Sequence, residues 1–282
     1  MAETVLQYIE RNWNDCIHEN RRDEGTLIGI PYPYTVPAVG HFDEIYYWDT
    51  YFTNLGLICG GRALLAKYNV DNMLYLISRF GHMPNGNRTY YLTRSQPPYL
   101  SMMIRDVYEY FHDKAWLRGA YDGLLTEYAF WTEKRMTPCG LNQYFDDSSD
   151  EERIRISKDF CGRIGYTPEG KTPLEIGRHY LAVAESGWDI NTRFGFEAEN
   201  YVQVDLNSLL YRLGMNMAYF ARELSFGKEE EEKWISRAEK RKALLFSLLE
   251  NKDGLLLDYN FVSKKHSDTF AAVSFLPLLC GV

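Results

Sequence analysis

Apolar residues recur at intervals of three and four along most of the chain, which is the pattern of amphipathic α-helices. The longest stripe consists of Leu206, Leu209, Leu210, Leu213, Met217, Phe220 and Leu224. Asp205 precedes this stripe at a position where a carboxylate can cap a helix, and Gly227 follows it at a position where a helix can end. A second stripe predicts another helix over about 229–249.

The same spacing predicts earlier helices and a late one. They cover about 4–19, 44–58, 61–80, 97–111, 114–134, 173–185 and a segment from about Asp268 onward. The only stretch typical of a strand is 254–262, and alternating strand–helix units are absent, which disfavours a doubly wound sheet or TIM barrel. Two long loops, about 136–172 and 186–204, are of the kind that builds a site. The sequence therefore predicts an all-α protein.

Composition narrows the class of ligand. Of the 282 residues, 45% are hydrophobic and 25% charged, as in ordinary globular proteins. The formal net charge is -8 and no block is rich in Lys or Arg, which argues against nucleic acid as a partner. Aromatic residues reach 15%, and aromatic faces pack well against sugar rings. The balance favours a neutral, polyhydroxylated small molecule.

Cysteines and the chain start bear on metals and location. The five cysteines are scattered and form no Cys/His cluster, so neither a metal site nor a cofactor is expected. Residues 1–15 are charged and lack the apolar run of a signal peptide, and no stretch approaches the roughly 18 apolar residues of a membrane span. The expectation is a cytoplasmic protein that does not partner with a membrane.

Three clusters that mix polar and aromatic residues fall in loops or at predicted helix ends: Phe42–Tyr51, Pro84–Pro98 and Glu185–Phe194. Their Arg and Gln side chains can each make two hydrogen bonds to neighbouring hydroxyls. Taken singly, each cluster has a structural explanation, since Asn85-Gly86-Asn87 is typical of a turn and Pro97-Pro98 of a helix start. Their order and joint occurrence favour a functional role.

These clusters resemble the signature segments of the trehalases of glycoside hydrolase family thirty-seven. The first signature of that family runs Pro-Gly-Gly-Arg-Phe-x-Glu-x-Tyr-x-Trp-Asp-x-Tyr. The chain matches it at Phe42, Glu44, Tyr46, Trp48, Asp49 and Tyr51. It departs just before, where Pro37-Ala38-Val39-Gly40-His41 replaces Pro-Gly-Gly-Arg. Pro84–Pro98, Ser186–Asp189 and Val204–Leu209 match as well, so the resemblance extends from about residue 30 to the end.

The resemblance implies an (α/α)6 barrel formed by a single domain over 1–282, in which 1–30 are an N-terminal helix and lead-in. It also implies inverting hydrolysis of α,α-trehalose to two glucose molecules, with Asp189 in the place of the general acid. The positions it assigns to the sugar pocket are Phe42, Trp48, Asp49, Asn85, Arg94, Ser95, Gln96 and Gly187. His41 stands where the family has a substrate-binding Arg, and a neutral imidazole lacks the bidentate charged contact of that Arg.

The chemistry of inversion supports the role of Asp189. Such a reaction needs a carboxylic acid that protonates the leaving oxygen and a carboxylate that activates water, about 6.5–9.5 Å apart. Trp188 and Gly187 stand beside Asp189 and are expected to desolvate it partly, which raises the pKa of a carboxyl. On spacing alone, a helix cap at a loop end is the alternative role for Asp189.

Two parts of the family pattern are not found. The second signature, Gln-Trp-Asp-x-Pro-x-Gly-Trp-x-Pro, and the later region that supplies the general base have no match in the 282 residues. The expectation is a barrel incomplete at its C-terminus, with little or no activity on its own. The family's Arg-x-Glu pair is expected within 136–172, where Glu152, Arg153 and Arg155 are the candidates.

Two alternative functions stay open. The first is a related (α/α)6 glycosidase that acts on another α-linked glucoside or mannoside, which His41 and the divergent 136–172 loop leave room for. The second is a sugar-binding protein that has lost catalysis, which the missing base favours. An intact Asp189 argues against the second alternative.

Overall fold

The computed structural model describes residues 3–282. The chain divides into two compact units. The first comprises the residues up to Ser95 together with Tyr99–Glu127, and the second comprises Gln96–Pro98 together with Tyr128–Val282. Helices dominate both units, so the all-α class predicted from the apolar spacing is confirmed.

The helices of the first unit are α1 (Val5–Asn12), α2 (Tyr47–Cys59), α3 (Ala63–Phe80), α4 (Leu100–Phe111) and α5 (Lys114–Lys134), which continues into the second unit. A reciprocal capping box between Thr4 and Gln7 starts α1. Gly81 ends α3 in the left-handed conformation, which glycine adopts without steric penalty. Helix α3 packs against both α2 and α4, and their inward apolar residues form the buried interior of this unit.

The helices of the second unit are α6 (Asp150–Ile164), α7 (Pro173–Ser186), α8 (Val204–Glu223), α9 (Lys228–Leu249) and α10 (Leu276–Cys280). A capping box between Thr172 and Glu175 starts α7, with Pro173 in its first turn. Helices α6 and α7 approach closely because Gly177 has no side chain: a Cβ there would lie 2.1 Å from the carbonyl oxygen of Arg153. Helix α7 ends at Gly187, whose φ of 72° stops the helix just before Asp189.

An apolar cluster lies next to the end of α7. Its buried members come from α8, α9 and the connecting segments, and they are Leu141, Val202, Val204, Leu245, Leu249 and Val273. Trp188 packs against this cluster with part of its surface. The residue immediately before Asp189 therefore has a fixed apolar support.

Short strands pair within each unit. In the first, β1 (Ile17–His18) pairs antiparallel with β2 (Tyr34–Thr35). In the second, β3 (Tyr201–Val202), β4 (Tyr259–Asn260) and β5 (Lys265–His266) form an antiparallel sheet in that order. The predicted strand at 254–262 is thus reduced to β4, and it is one of several strands rather than the only one.

Several sequence predictions need correction. Residues 150–164 form α6 inside the segment predicted as a loop, because Ser149 caps a start rich in carboxylates although the helix has few apolar residues. Asp205 is not the cap of α8: Gln203 occupies that position, and Asp205 lies in the first turn. Helix α8 ends at Glu223, and Gly227 precedes α9 as its cap.

The two terminal helices are shorter than predicted. The first covers Val5–Asn12 and is followed by a 3-10 turn at Trp13–Cys16, whereas the predicted helix extends to residue 19. The last is α10, preceded by a 3-10 turn at Ala272–Phe275 instead of beginning near residue 268. Over residues 3–282, no helix is long and apolar enough to cross a membrane. In the same range no group of three or more His, Cys, Asp or Glu residues has the arrangement of a metal site.

Candidate active site

In the first unit, the start of α2 carries several of the predicted sugar contacts. Trp48 and Asp49 lie half-buried in its first turn, whereas His41 and Phe42 lie exposed in the segment before it. The Phe42 ring meets the Tyr46 ring edge-on, with centroids 5.3 Å apart. This arrangement keeps the Phe42 ring accessible while one edge is supported.

Backbone pairing joins the start of α2 to the 84–95 segment. The Tyr47 N–H donates to the Asn85 carbonyl at 3.0 Å, and the Asn85 N–H donates to the Arg94 carbonyl at 3.0 Å. The Ser95 hydroxyl donates to the Met83 carbonyl at 2.6 Å, which makes Ser95 a support of this segment. Asn85, Arg94, Ser95 and the first turn of α2 are thus held together by main-chain geometry.

Gly86 and Asn87 explain how this pairing is reached. A Cβ on Gly86 would lie 2.9 Å from the Ile45 carbonyl oxygen, so only glycine allows the two backbones to approach this closely. The fully buried Asn87 side chain accepts from the Ile45 N–H at 2.9 Å and donates to the Ile28 carbonyl at 2.8 Å. The Asn85-Gly86-Asn87 motif, typical of a simple turn in the sequence, thus joins three backbone segments through buried hydrogen bonds.

Glu44 belongs to the motif but points into a polar support. Its Oε1 lies 3.0 Å from Arg88 Nε and accepts from the Tyr90 hydroxyl at 3.3 Å, and its Oε2 accepts from the Asp43 N–H at 2.8 Å. Burial pushes the pKa of Glu44 upward, but the Arg88 guanidinium and the Asp43 N–H outweigh it, so the pKa is lowered. Glu44 is therefore an ionised structural residue beside the predicted contacts.

Tyr47, next to Trp48 in the sequence, belongs to a fully buried pair with Glu127. The Tyr47 hydroxyl donates to Glu127 Oε1 and accepts from the Leu100 N–H at 3.2 Å. Burial raises the pKa of Glu127 to about 7, with the hydrogen bond from Tyr47 acting in the opposite direction. This pair joins the starts of α2 and α4 to α5.

In the second unit, the predicted residues are Gln96, Gly187 and Asp189. Gln96 is buried, Gly187 is the residue that ends α7, and Asp189 is exposed on the loop that follows. The partial desolvation of Asp189 expected from its neighbours is therefore not seen in this chain, because Trp188 turns towards the apolar cluster. Asp189 is thus an exposed residue of this loop.

The start of the Asp189 loop is anchored through Glu185. Its carboxylate accepts from Arg135 Nε at 2.9 Å and from the Phe145 N–H at 2.7 Å. Arg135 also donates to Asp147 at 2.8 Å. Burial alone would lower the pKa of Arg135, yet the two carboxylates raise it above its ordinary value, so the guanidinium keeps its charge.

The end of the loop is anchored through Arg193, which lies between two buried carboxylates. Arg193 donates to Asp205 at 2.7 and 3.1 Å and to Asp258 at 2.6 and 2.8 Å. The side chains of Arg193, Asp205 and Asp258 are each no more than 3% exposed. We call this arrangement the Arg193 cluster.

Sequence reasoning misses most of these supports. It predicts no part in the site for Arg135, Asp205 and Asp258, and it assigns Asp205 to a helix cap instead. A signal exists for Asp258, because a charged residue within Leu255-Leu256-Leu257-Asp258-Tyr259 needs a partner if the stretch is buried. Its actual partner, 65 positions away, is visible only in the fold.

The candidates for the Arg-x-Glu pair lie on or near the surface of α6. Arg155 donates to Glu152 at 2.5 Å and to Asp159 at 3.2 Å, and Arg153 donates to the Asp146 carbonyl at 2.5 Å. Glu152 and Arg155 thus bind each other within one helix. The assignment of the pair among Glu152, Arg153 and Arg155 stays a prediction.

Comparison with curated proteins gives relatives of about twice the length. The periplasmic trehalase of Xanthomonas oryzae pv. oryzae is 32% identical over 306 residues, which cover 99% of this chain and 53% of that protein. The periplasmic trehalase of Pseudomonas aeruginosa is 34% identical over 282 residues, which cover 91% and 50%. The chain spans about half the length of the curated relatives it matches.

These relatives overturn the expected cytoplasmic location. The relatives are named periplasmic trehalases, which contradicts the cytoplasmic expectation. The cytoplasmic expectation rests on the composition of the first residues of the chain. Relatedness over 99% of the chain is the stronger observation.

Among solved structures, the neutral trehalase of Saccharomyces cerevisiae matches with a TM-score of 0.76 and 28% identity, over 94% of this chain and 55% of that one. A mannosylglycerate hydrolase from Thermus thermophilus matches with a TM-score of 0.58 and 19% identity, over 88% and 69%, and shows the fold alone. These neighbours confirm the predicted (α/α)6 fold class. A family model described as Trehalase matches residues 3–282. The chain belongs to the trehalase family.

Proposed function

We propose that this chain carries the general acid and most of the sugar-contacting side chains of an inverting trehalase, and that Asp189 is that acid. One observation carries the proposal. Asp189 is exposed on a loop in the matched Ser186–Asp189 motif, while Glu185 and Arg193 on either side of it are fixed by buried hydrogen bonds. An exposed aspartate on a loop anchored at both ends suits proton donation to a bound substrate.

The proposed step is a single displacement. The protonated Asp189 carboxyl gives its proton to the oxygen that joins the two glucose units, and the bond between that oxygen and the anomeric carbon breaks. A water activated by a carboxylate attacks the anomeric carbon from the opposite face and loses a proton to that base. One glucose leaves with the proton of Asp189, and the other carries the hydroxyl of the water with inverted configuration.

The residues of the first unit supply recognition in this proposal. Phe42 exposes 39% of its surface, and its ring can stack on the C–H face of a sugar. Asp49 and Asn85 can accept from or donate to sugar hydroxyls, and Arg94, held with its guanidinium 5.1 Å from the Tyr91 ring centre, offers a planar set of donors. Backbone pairing between Asn85 and Arg94 fixes the spacing of those donors.

We assign the general base to none of these 282 residues. We infer that the 282-residue chain alone hydrolyses trehalose little, because none of its carboxylates matches the region that supplies the base in the family. Purified chain is incubated with trehalose, and glucose is measured with a coupled oxidase assay. Clear release of glucose by the chain alone would contradict this inference.

The role of Asp189 is tested by Asp189→Asn in the natural polypeptide that carries these residues. Asn has the size of Asp but donates no proton to the leaving oxygen, so kcat for trehalose should fall about 100- to 10,000-fold. Sugar binding, measured by calorimetry with trehalose, should persist. Asp253→Asn is the control, since Asp253 is an exposed aspartate of the same unit, in the turn before Leu255.

The outcomes separate three functions. Loss of turnover with retained binding supports the acid role, and an unchanged rate for Asp189→Asn removes it. Binding without turnover in the unaltered polypeptide instead supports the sugar-binding protein that has lost catalysis. If the polypeptide neither binds nor hydrolyses any α-linked sugar, the proposed function is ruled out altogether.

One residue favours a second candidate substrate. His41 is exposed and stands where the family signature has an Arg, so the charged contact at that position is changed. A different α-linked glucoside or mannoside is therefore the second candidate. Turnover of trehalose is compared with that of other α-linked disaccharides and of mannosides by the same polypeptide. His41→Arg should shift the ratio of kcat/KM values towards trehalose if this position sets the preference.

A further inference from the structure

The Arg193 cluster lies four positions beyond Asp189 and has no role in the chemistry described above. We propose that Arg193 is a positioning residue that fixes the loop carrying Asp189, and this inference rests on the proposed acid role of Asp189. Three observations carry it: the bonding of the cluster, its connections to both sides of Asp189, and the backbone of Ile190.

The Arg193 guanidinium is hydrogen-bonded to a carboxylate on each of two sides. The guanidinium makes two hydrogen bonds to each carboxylate, at 2.7 and 3.1 Å to Asp205 and at 2.6 and 2.8 Å to Asp258. Burial would lower the pKa of Arg193, but the two carboxylates raise it well above its ordinary value. A planar fork held on two sides leaves Arg193 one orientation, and Lys has no equivalent geometry.

The cluster also reaches the residue before Asp189. The Trp188 indole N–H donates to Asp205 Oδ2 at 3.2 Å, the same oxygen that accepts from Arg193. Within the loop, Asn191 accepts from the Arg193 N–H at 2.6 Å and donates to the Trp188 carbonyl. Asp189 therefore lies between two residues that are tied to one carboxylate.

The other carboxylate ties the cluster to the rest of the unit. Asp258 Oδ1 accepts from the Val204 N–H at 2.9 Å, at the first residue of α8. The Ser267 hydroxyl lies 3.4 Å from the Arg193 carbonyl oxygen and donates to it. The loop is thus anchored to the start of α8 and to the segment around β4 rather than left to its own contacts.

The backbone next to Asp189 shows why such an anchor is needed. Ile190 has a φ of 42°, a left-handed conformation that a β-branched residue rarely adopts. Backbone strain of this kind persists only where the surroundings determine the conformation. Ile190 is itself exposed, so its own side chain does not hold it there. We attribute the conformation to the ties at Trp188, Asn191 and Arg193.

Two variants test the inference in the polypeptide used to measure hydrolysis. Arg193→Lys keeps a positive charge but loses the paired bonds, and Ile190→Gly leaves the cluster intact but lets the backbone beside Asp189 relax. For either variant we expect kcat to fall about 10- to 100-fold, because a displaced acid no longer meets the leaving oxygen. KM should change little, since the sugar contacts of the first unit are untouched. Amide hydrogen exchange across residues 188–194 should accelerate in both variants.

The control is Arg178→Lys, which alters another bidentate ion pair of the same unit, to Glu199 at 2.8 and 2.5 Å. It should leave kcat and the exchange of 188–194 unchanged. A merely structural Arg193 would lower the melting temperature but leave kcat intact at temperatures well below it. Unchanged kcat in folded Arg193→Lys overturns the proposal, and if that variant does not fold, unchanged kcat in Ile190→Gly overturns it.

The same measurements distinguish this inference from the proposed function. Activity that is lost in Asp189→Asn but retained in Arg193→Lys removes only the positioning role. Activity retained in Asp189→Asn removes the acid assignment and the positioning role together. A parallel loss in Asp189→Asn, Arg193→Lys and Ile190→Gly, with the control intact, is the result we expect.

Discussion

Among residues 3–282, each unit buries one glutamate completely, and the two settings are opposite. One carboxylate oxygen of Glu127, in the first unit, accepts a hydrogen bond from the Tyr47 hydroxyl. The other oxygen has no hydrogen-bond partner among the described residues. Glu185 of the second unit faces the guanidinium of Arg135 and also receives the Phe145 N–H. A buried carboxyl without a cation favours its neutral form, whereas one beside a guanidinium favours its charged form.

The same contrast separates the two segments that carry the predicted site residues. Asn85 and Arg94 are placed by main-chain hydrogen bonds and by the neutral amide of Asn87. Asp189 is placed by buried ion pairs at Glu185 and Arg193. We call residues 84–95 the recognition segment. Although Arg88 of this segment pairs with Glu44, the spacing of Asn85 and Arg94 is set by main-chain hydrogen bonds and should depend little on charge, whereas the loop of the proposed acid should depend on it.

The largest expected effect comes from breaking the ion pair at the start of that loop. Glu185→Ala removes a buried carboxylate from the buried Arg135, whose pair with Asp147 remains, and Asp147 is half exposed. Removing one partner of a buried pair typically costs about 3–5 kcal/mol of the free energy of unfolding. Urea unfolding followed by circular dichroism measures the loss.

The matched control for this change is Glu232→Ala. Glu232 pairs with Lys228 at 3.3 Å, and both side chains are mostly exposed. Exposed pairs contribute about 0–1 kcal/mol, so this variant should unfold almost like the unaltered chain. A Glu185→Ala variant as stable as the control would break the comparison between the two units.

The next effect is a pH dependence that should come from the first unit. The pKa of Glu127 is raised from 4.5 to about 7 by burial. Between these two values the folded chain holds a proton that the unfolded chain has released, so stability falls as pH rises towards about 7. At about 1.4 kcal/mol for each pKa unit, the total is on the order of 3 kcal/mol.

Glu127→Gln isolates this contribution, because the amide does not titrate and its oxygen can still accept from Tyr47. The free energy of unfolding is measured at about pH 5 and about pH 8 for both proteins, on either side of the folded-state pKa. The unaltered chain should lose more stability between the two pH values than Glu127→Gln does. Parallel pH profiles would show that Glu127 does not hold its proton in the folded state.

The sequence predicts the helices well where apolar residues mark one face. The range predicted for α5, 114–134, agrees with the observed Lys114–Lys134. Helix α9 lies close to its predicted range, 229–249, and α8 contains the predicted apolar stripe except for Leu224. The sequence does not predict helix α6, because the start of this helix is marked by a cap and by charges in its first turn rather than by an apolar face. Most strands are not predicted either, because strands of two residues such as Tyr201–Val202 are too short to show an alternating apolar pattern.

The candidate site divides in the same way. Motif resemblance predicts roles for Asp189 and for the sugar contacts of the first unit, because these residues are close together within short signatures. The residues that hold them are missed, since Arg135 and Glu185 are 50 positions apart and Arg193 and Asp258 are 65 apart. Such pairs depend on how helices and strands pack, which no local pattern encodes. Asp205 illustrates the difficulty: its place before an apolar stripe predicts a cap, but the buried guanidinium of Arg193 is a stronger partner.

The smallest expected effect comes from Asn87→Ala, which tests whether the recognition segment is held by uncharged hydrogen bonds. Asn87 is fully buried, and its loss leaves the Ile45 N–H and the Ile28 carbonyl without their partner. A buried donor or acceptor without a partner costs about 1–3 kcal/mol, so we expect about 2 kcal/mol in urea unfolding. Because no charge is involved, this loss should be the same at low and high salt, and Asn12→Ala, at a partly exposed asparagine of α1, should show almost none of it. A loss that varies strongly with salt would mean that the recognition segment also depends on charge, and the contrast between the two segments would fail.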